Sequence, residues 1–205
     1  MEKEFGKLKN ILIKKVDVTK YDEMHAALEE AEKTYGPCDC LINNAGVFFG
    51  GNVDEQKMEE FDKMLQVNVF GVLHGIKCVL KGMKERKRGT IINISSLTAK
   101  GHYDSLTVYG ASKSAVSAIS EGLRAEVATS GIKVTTICPG FVQTEILEAG
   151  KGNKELYDAY KDWAQALPNG PLLPEDIADV CLYIYKLPKR ACIRDLVITS
   201  VDQTI

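Results

Sequence analysis

The strongest constraint on this chain is an alternation, from residue 11 onward, of short apolar runs with longer segments of helical period. Ile11 to Val16 is an apolar, β-branched run that predicts a strand. Thr19 then opens a helix with Asp22 and Glu23 in its first turn. Met24, Leu28, Ala31 and Tyr35 follow on one face, and Gly36-Pro37 stops it. Cys40 to Ile42 predicts the next strand, and a long helical stretch carries apolar positions from about Asp54 to Arg88. Thr90 to Ile94 predicts a strand, Tyr109 to about Ala128 a helix, and Ile132 to Cys138 a strand. Pro174-Glu175-Asp176 opens a last helix before a strand at Leu196 to Thr199.

Strands separated by helices of this length pair in parallel through crossover helices, so the expected fold is α/β, a doubly wound parallel sheet. At 205 residues the chain is expected to form one domain. Ligands in such sheets gather beyond the carboxyl ends of the strands. That rule points to Asp17, to Asn43 through Gly46, to Ser95-Ser96 and to Pro139-Gly140. Thr144 to Leu173 has the least pattern and is rich in Gly, Lys, Asn and Pro. Its part from Glu145 to Leu173 is expected to act as a mobile lid, with Ile146, Leu147, Leu156, Tyr157 and Trp163 as its apolar contacts.

Charge and composition narrow the function classes. A formal charge of −2 lacks the basic excess of a nucleic-acid binder. The basic run Lys81, Lys84, Arg86, Lys87 and Arg88 falls where the long helix ends at Gly89, which suits the negative pole of a helix dipole. Six scattered cysteines without CxxC spacing, and three histidines outside any ligand motif, predict no metal site. Reduced thiols, a charged start at Met1-Glu2-Lys3-Glu4 and the lack of a long apolar span predict a cytoplasmic protein without a membrane segment.

The chemistry-bearing residues sit where the rule places them. Tyr109 and Lys113 lie four residues apart at the start of a helix, and therefore on one face. A cation near a phenol favours the phenolate, so the pair suits proton transfer to a carbonyl or from an alcohol. The spacing recurs at Tyr157/Lys161 and Tyr185/Lys189. Only Tyr109, however, has a serine, Ser96, thirteen residues upstream at the end of an apolar strand.

Five ordered motifs carry a resemblance. They are Asp39-Cys-Leu-Ile-Asn-Asn-Ala-Gly46, Val67-Asn-Val-Phe-Gly71, Ile94-Ser-Ser96, Tyr109-x-x-x-Lys113 and Pro139-Gly-Phe-Val-Gln-Thr144. Together they resemble the single-domain short-chain dehydrogenase/reductases. The resemblance implies a nicotinamide-dependent oxidoreductase acting on a small alcohol or carbonyl. Tyr109 would be the acid/base, Ser96 would bond the substrate oxygen, and Lys113 would hold the nicotinamide ribose and lower the tyrosine pKa. Asn68 would hold a water that links Lys113 to solvent. Asp17 and Val18 would face the adenine, and Asn43, Asn44, Ala45 and Gly46 would line the adenosine side. Pro139, Gly140, Val142 and Thr144 would contact the nicotinamide end. The pattern from Pro174 to Ala178 resembles the branch related to 3-hydroxy-acid and serine dehydrogenases, so the cofactor is NADP or NAD, with a lean to NADP. A homodimer or homotetramer is implied, packed on the long helix and the Tyr109 helix, where Gly71, Gly75, Ala115, Ala118 and Gly122 are small.

One part of the pattern is missing. The family's first strand, glycine-rich turn, first helix and second strand have no counterpart, since Gly6 and Gly36 stand alone. That turn would cradle a pyrophosphate, and the second strand would choose between NAD and NADP. The expected sheet is therefore Rossmann-like without those elements, and the expected alternative is a non-catalytic relative that serves as a binding or dimerising module.

Overall fold

The structure is a computed structural model that describes residues 10–146 and 154–204. Four parallel strands form one sheet in the order β1 (Cys40–Asn43), β2 (Gly89–Ile94), β3 (Ile132–Pro139) and β4 (Asp195–Ile198). The helices are α1 (Tyr21–Tyr35), α2 (Met58–Leu65), α3 (Gly71–Arg86), α4 (Thr107–Glu126), α5 (Lys154–Gln165) and α6 (Pro174–Lys186).

Period-two side chains divide the sheet between two cores. Ile91 and Val134 turn to α3 and α4, against Val72, Val79, Val116 and Leu123. Ile92 and Ile137 turn to the other face, against Ile177, Cys181 and Ile184 of α6. Every residue of β3 is buried, as expected of a parallel strand covered on both sides. Each fully buried isoleucine here contributes roughly 1.5–3 kcal/mol. A buried cation on β3 is also accounted for: Lys133 Nζ donates to the carbonyls of Ile184, Tyr185 and Leu187 and so closes the C-terminal end of α6.

Two expectations change. The long helical stretch is three pieces, because a π turn at Gln66–Phe70 separates α2 from α3. The segment Ile11 to Val16 has no regular secondary structure and pairs with no strand among the described residues. In the doubly wound order two strands would lie between it and β1, a separation of roughly 14 Å. Among the described residues nothing fills that space, and Ile42 on β1 is 47% exposed. The segment is held instead at its far end. His74 Nδ1 donates to the Val18 carbonyl at 3.0 Å, and Val18 lies over Gly71 so closely that a Cβ there would be 2.9 Å from its Cγ2. Helix α1 stays docked through Leu28 in the core and the edge-on Tyr21–His74 contact.

Candidate active site

Helix α4 turns Tyr109, Ser112, Lys113, Val116 and Ser120 inward, the face that its period assigns. The chain leaves β2 at Ile94 and turns at once into a 3₁₀ turn, Leu97–Ala99, whose first amides are capped by Ser96. Ser96 Oγ accepts from Thr98 N at 3.1 Å and lies beside the Tyr109 hydroxyl, close enough to oppose the rise of its pKa. Its neighbour Ser95 faces the other way and donates to the Lys113 carbonyl at 2.8 Å. Of the two serines at the strand end, Ser96 is therefore the one that meets the phenol.

Electrostatics depart from the expected pattern. Burial pushes the Tyr109 phenol up to about 12, against a smaller opposing effect of Ser96. Burial likewise brings the Lys113 ammonium down to about 8. Lys113 was expected to lower the tyrosine, but its Nζ donates to the Ile94 carbonyl at 3.0 Å and lies 5.8 Å from the centre of the Tyr109 ring. In this arrangement removal of both groups from water outweighs their attraction. The phenol is held protonated, in the form of an acid.

Asn68 sits in the π turn and is 1% exposed. Its side chain accepts from Val47 N at 2.8 Å and donates to Val47 O at 2.9 Å and Ser112 Oγ at 3.0 Å. Ser112 Oγ in turn donates to the Tyr109 carbonyl at 2.7 Å. The expected hold of Asn68 on a water thus meets a side chain whose hydrogen bonds already tie the loop after β1 to the Tyr109 helix. A Cβ at Gly46 would lie 3.4 Å from Asn68 Oδ1 and 3.5 Å from Lys113 Nζ, so the glycine leaves room beside both.

A cavity of about 1150 Å³ opens beyond the strand ends. It is larger than the ~300–1,000 Å³ of ordinary small-molecule pockets. Of the expected residues, Ser96, Tyr109 and Lys113 line it, as do Asn44, Gly46, Pro139, Gly140, Val142 and Thr144. Asn43 and Ala45 do not. Asn43 Nδ2 donates to Asn93 Oδ1 at 2.8 Å, and Asn93 continues to Ser120, a buried chain of amides behind the site.

Asp17 and Val18 also lie outside the cavity wall. The exposed Asp17 carboxylate accepts from Thr19 N at 3.0 Å and Thr19 Oγ1 at 2.8 Å, a turn that leads into α1. Those bonds also hold its carboxyl below the ordinary carboxylate range.

The segment after β3 contributes as expected through Ile146, Leu156 and Trp163, and Leu147 falls outside the described residues. Helix α5 presents Leu156, Ala159, Tyr160 and Trp163 to the cavity, so Tyr160 stands where Tyr157 was expected. Sequence reasoning missed Phe48, whose ring meets Tyr109 edge-on at 5.0 Å. Its position two residues after Gly46 was a usable strand-end signal. Tyr103, Tyr160 and Gln203 come from distant segments, and no local signal marks them. Among the described residues no cluster of His, Cys, Asp or Glu is placed to hold a metal ion, and no helix is long and apolar enough to cross a membrane.

Comparison with known proteins decides the family. The family model for short chain dehydrogenases matches residues 1–154. The chain belongs to the short-chain dehydrogenase family. A relative, an uncharacterized oxidoreductase of Staphylococcus saprophyticus, is 36% identical over 200 residues, covering 96% of this chain and 78% of its own length. Among solved structures, the closed form of serine dehydrogenase complexed with NADP+ matches with a TM-score of 0.90 at 28% identity. That match covers 99% of this chain and 82% of the other. ElxO with NADP bound matches with a TM-score of 0.78 at 26% identity, covering 96% of this chain and 81% of the other. The short-chain dehydrogenase fold thus extends over nearly the whole chain, and both of these solved structures hold NADP.

Proposed function

We propose that this short-chain dehydrogenase interconverts a small alcohol and its carbonyl compound with NADP, Tyr109 giving or taking the proton. The observation that supports this most is the Tyr109 hydroxyl. It lies beside Ser96, is backed by Lys113 one turn later, and belongs to a residue buried in one cluster with Phe48, Leu106 and Met64.

The residues present fit the reactive half of the cofactor. Lys113 and Tyr109 would hold its ribose, Asn44 and Gly46 the loop beside it, and Pro139, Gly140, Val142 and Thr144 its nicotinamide end. When bound, the nicotinamide supplies or accepts the hydride. NADP is preferred because the matched structures are of NADP-bound proteins. In reduction, Ser96 orients the substrate oxygen and Tyr109, protonated at neutral pH, donates to it. The phenolate left behind is unfavourable in a buried site, and the Lys113 charge beside the ring offsets part of that cost. Asn68 acts as a positioning residue that fixes the distance between the β1 loop and α4.

The test is carbonyl reduction by wild type and Tyr109→Phe in a form of the protein that turns over. Turnover is expected to fall ~10²–10⁴-fold while cofactor affinity holds. Wild-type turnover in the variant would refute the assignment. A second reading, a binding or dimerising module without catalysis, is favoured by the edge of β1, which is unpaired among the described residues and leaves Ile42 47% exposed. NADPH oxidation by the wild-type protein separates the two.

A further inference from the structure

We propose that Gln203, in the turn after β4, is a positioning residue of the active site. Its side-chain amide fixes the Gly140–Phe141 segment at the nicotinamide end of the cavity and, through Phe141, the seat of α5. The reaction that this serves is the proposed one; the positioning itself stands apart from that reading.

Strand β3 ends at Pro139, whose ladder partner is Ile198 of β4. The next amide, Gly140 N, still donates to the Ile198 carbonyl at 2.7 Å. The one after it is met by a side chain from 62 residues away: Phe141 N donates to Gln203 Oε1 at 3.0 Å. Glycine at 140 is what lets the two meet. A Cβ there would lie 2.1 Å from Gln203 Oε1 and 2.8 Å from its Cδ, so the amide occupies the space that any side chain at 140 would take. Both Gly140 and Gln203 line the cavity.

Gln203 is itself anchored. Its backbone N donates to the Ser200 carbonyl at 3.0 Å, which closes a turn. Ser200 Oγ donates to the Gly170 carbonyl at 2.7 Å, and Asp202 accepts from Asn169 N at 2.7 Å. The turn thus bonds the chain between α5 and α6 as well as the segment after β3. On its other side Phe141 is backed by Leu172, whose N donates to the Phe141 carbonyl at 3.2 Å. The Phe141 ring meets Trp163 of α5 edge-on at 5.8 Å. A wall segment bonded on both sides keeps one position, which is what hydride transfer over a fixed distance needs. Without the Gln203 oxygen, Phe141 keeps only the Leu172 side, and both the strand end and Trp163 gain freedom.

Trp163 is the single tryptophan, so its emission reports the seat of α5 without ligand or turnover. Residues 1–205 are compared as wild type, as Gln203→Met, which keeps the length and loses the acceptor, and as Gln203→Glu, which keeps both. Far-UV circular dichroism checks folding. Gln203→Met should shift the emission to the red and raise acrylamide quenching about twofold, a modest effect for one lost hydrogen bond. Gln203→Glu should restore both readings. Gly140→Ala, whose Cβ displaces the amide, should give the signature of Gln203→Met, and the double variant no more than either. Reduced nicotinamide mononucleotide carries the nicotinamide end alone. It should quench Trp163 saturably in wild type and bind about tenfold more weakly to Gln203→Met. Wild-type emission in Gln203→Met, no rescue by Gln203→Glu, or equal binding of the mononucleotide to wild type and Gln203→Met would overturn the proposal. If the emission changes as expected but the mononucleotide leaves wild type unquenched, the cofactor reading falls and the positioning by Gln203 stands.

Discussion

The Lys113 ammonium lies 5.8 Å from the centre of the Tyr109 ring and spends its hydrogen bond on the Ile94 carbonyl, so each of the two groups pays separately for its burial. Lys113 is 4% exposed and Tyr109 is 8% exposed. Function and stability are therefore opposed at this pair.

Lys113→Met should remove turnover and yet stabilise the fold. The folded ammonium titrates at about 8 against 10.5 unfolded, so the folded state binds its proton more weakly. The cost, roughly 3 kcal/mol, is fully present below pH 8, shrinks as pH rises, and is gone above the unfolded value. Loss of the bond to Ile94 offsets part of the gain. Denaturant melts of both proteins at pH 7 and pH 10 check this: the variant's advantage should be larger at pH 7. An advantage that grows with pH would contradict the assignment of burial as the cause.

Gly75→Ala should destabilise by ~1–3 kcal/mol, because the new Cβ falls 2.2 Å from Asn43 Oδ1. Asn43 cannot retreat without breaking its bond to Asn93 and the chain on to Ser120. Gly71 and Gly75 thus serve packing within the chain rather than helix approach between subunits. Urea unfolding measures the effect, and a neutral substitution would mean that the amide chain has slack.

Of the small residues expected at the contact between subunits, Ala118 and Gly122 of α4 are exposed and remain available. Met58, Leu65, Phe70 and Leu73 run along α2, the π turn and α3, all 38–64% exposed. Such a stripe matches an interface between copies. Sedimentation at micromolar concentration should show a dimer or tetramer, and Phe70→Glu should shift it to monomer. A wild-type monomer would dismiss this face as the contact.

Residues 1–205 by themselves should bind NADPH weakly. The sequence carries no glycine-rich turn, and one helix start at the cavity, at Pro174, is followed by Glu175 and Asp176, whose charge repels a phosphate. Calorimetric titration with NADPH and NADH tests it. Tight binding with turnover would show that other groups hold the pyrophosphate.

Sequence alone determined what depends on near neighbours along the chain. Strand–helix alternation set a parallel sheet, the i, i+4 spacing put Tyr109 and Lys113 on one face of α4, and the strand-end rule found Ser96. It also reached most of the cavity wall after β1 and β3. The tertiary structure decided what depends on partners far away. Ile11 to Val16 has the composition of a strand, but a strand needs a neighbour to share its hydrogen bonds, and among the described residues it has none. Asp17, expected to face the adenine, bonds Thr19 at the entry to α1, a local turn that its sequence position alone did not single out. The side chain of Asn68 ties Val47 to Ser112, a link between segments 21 and 44 residues away that the sequence does not show. Tyr160 comes near the reacting phenol from 51 residues away, which no periodicity encodes. The protonation of Tyr109 itself was decided by burial from several elements at once, a quantity that exists only after the chain has folded.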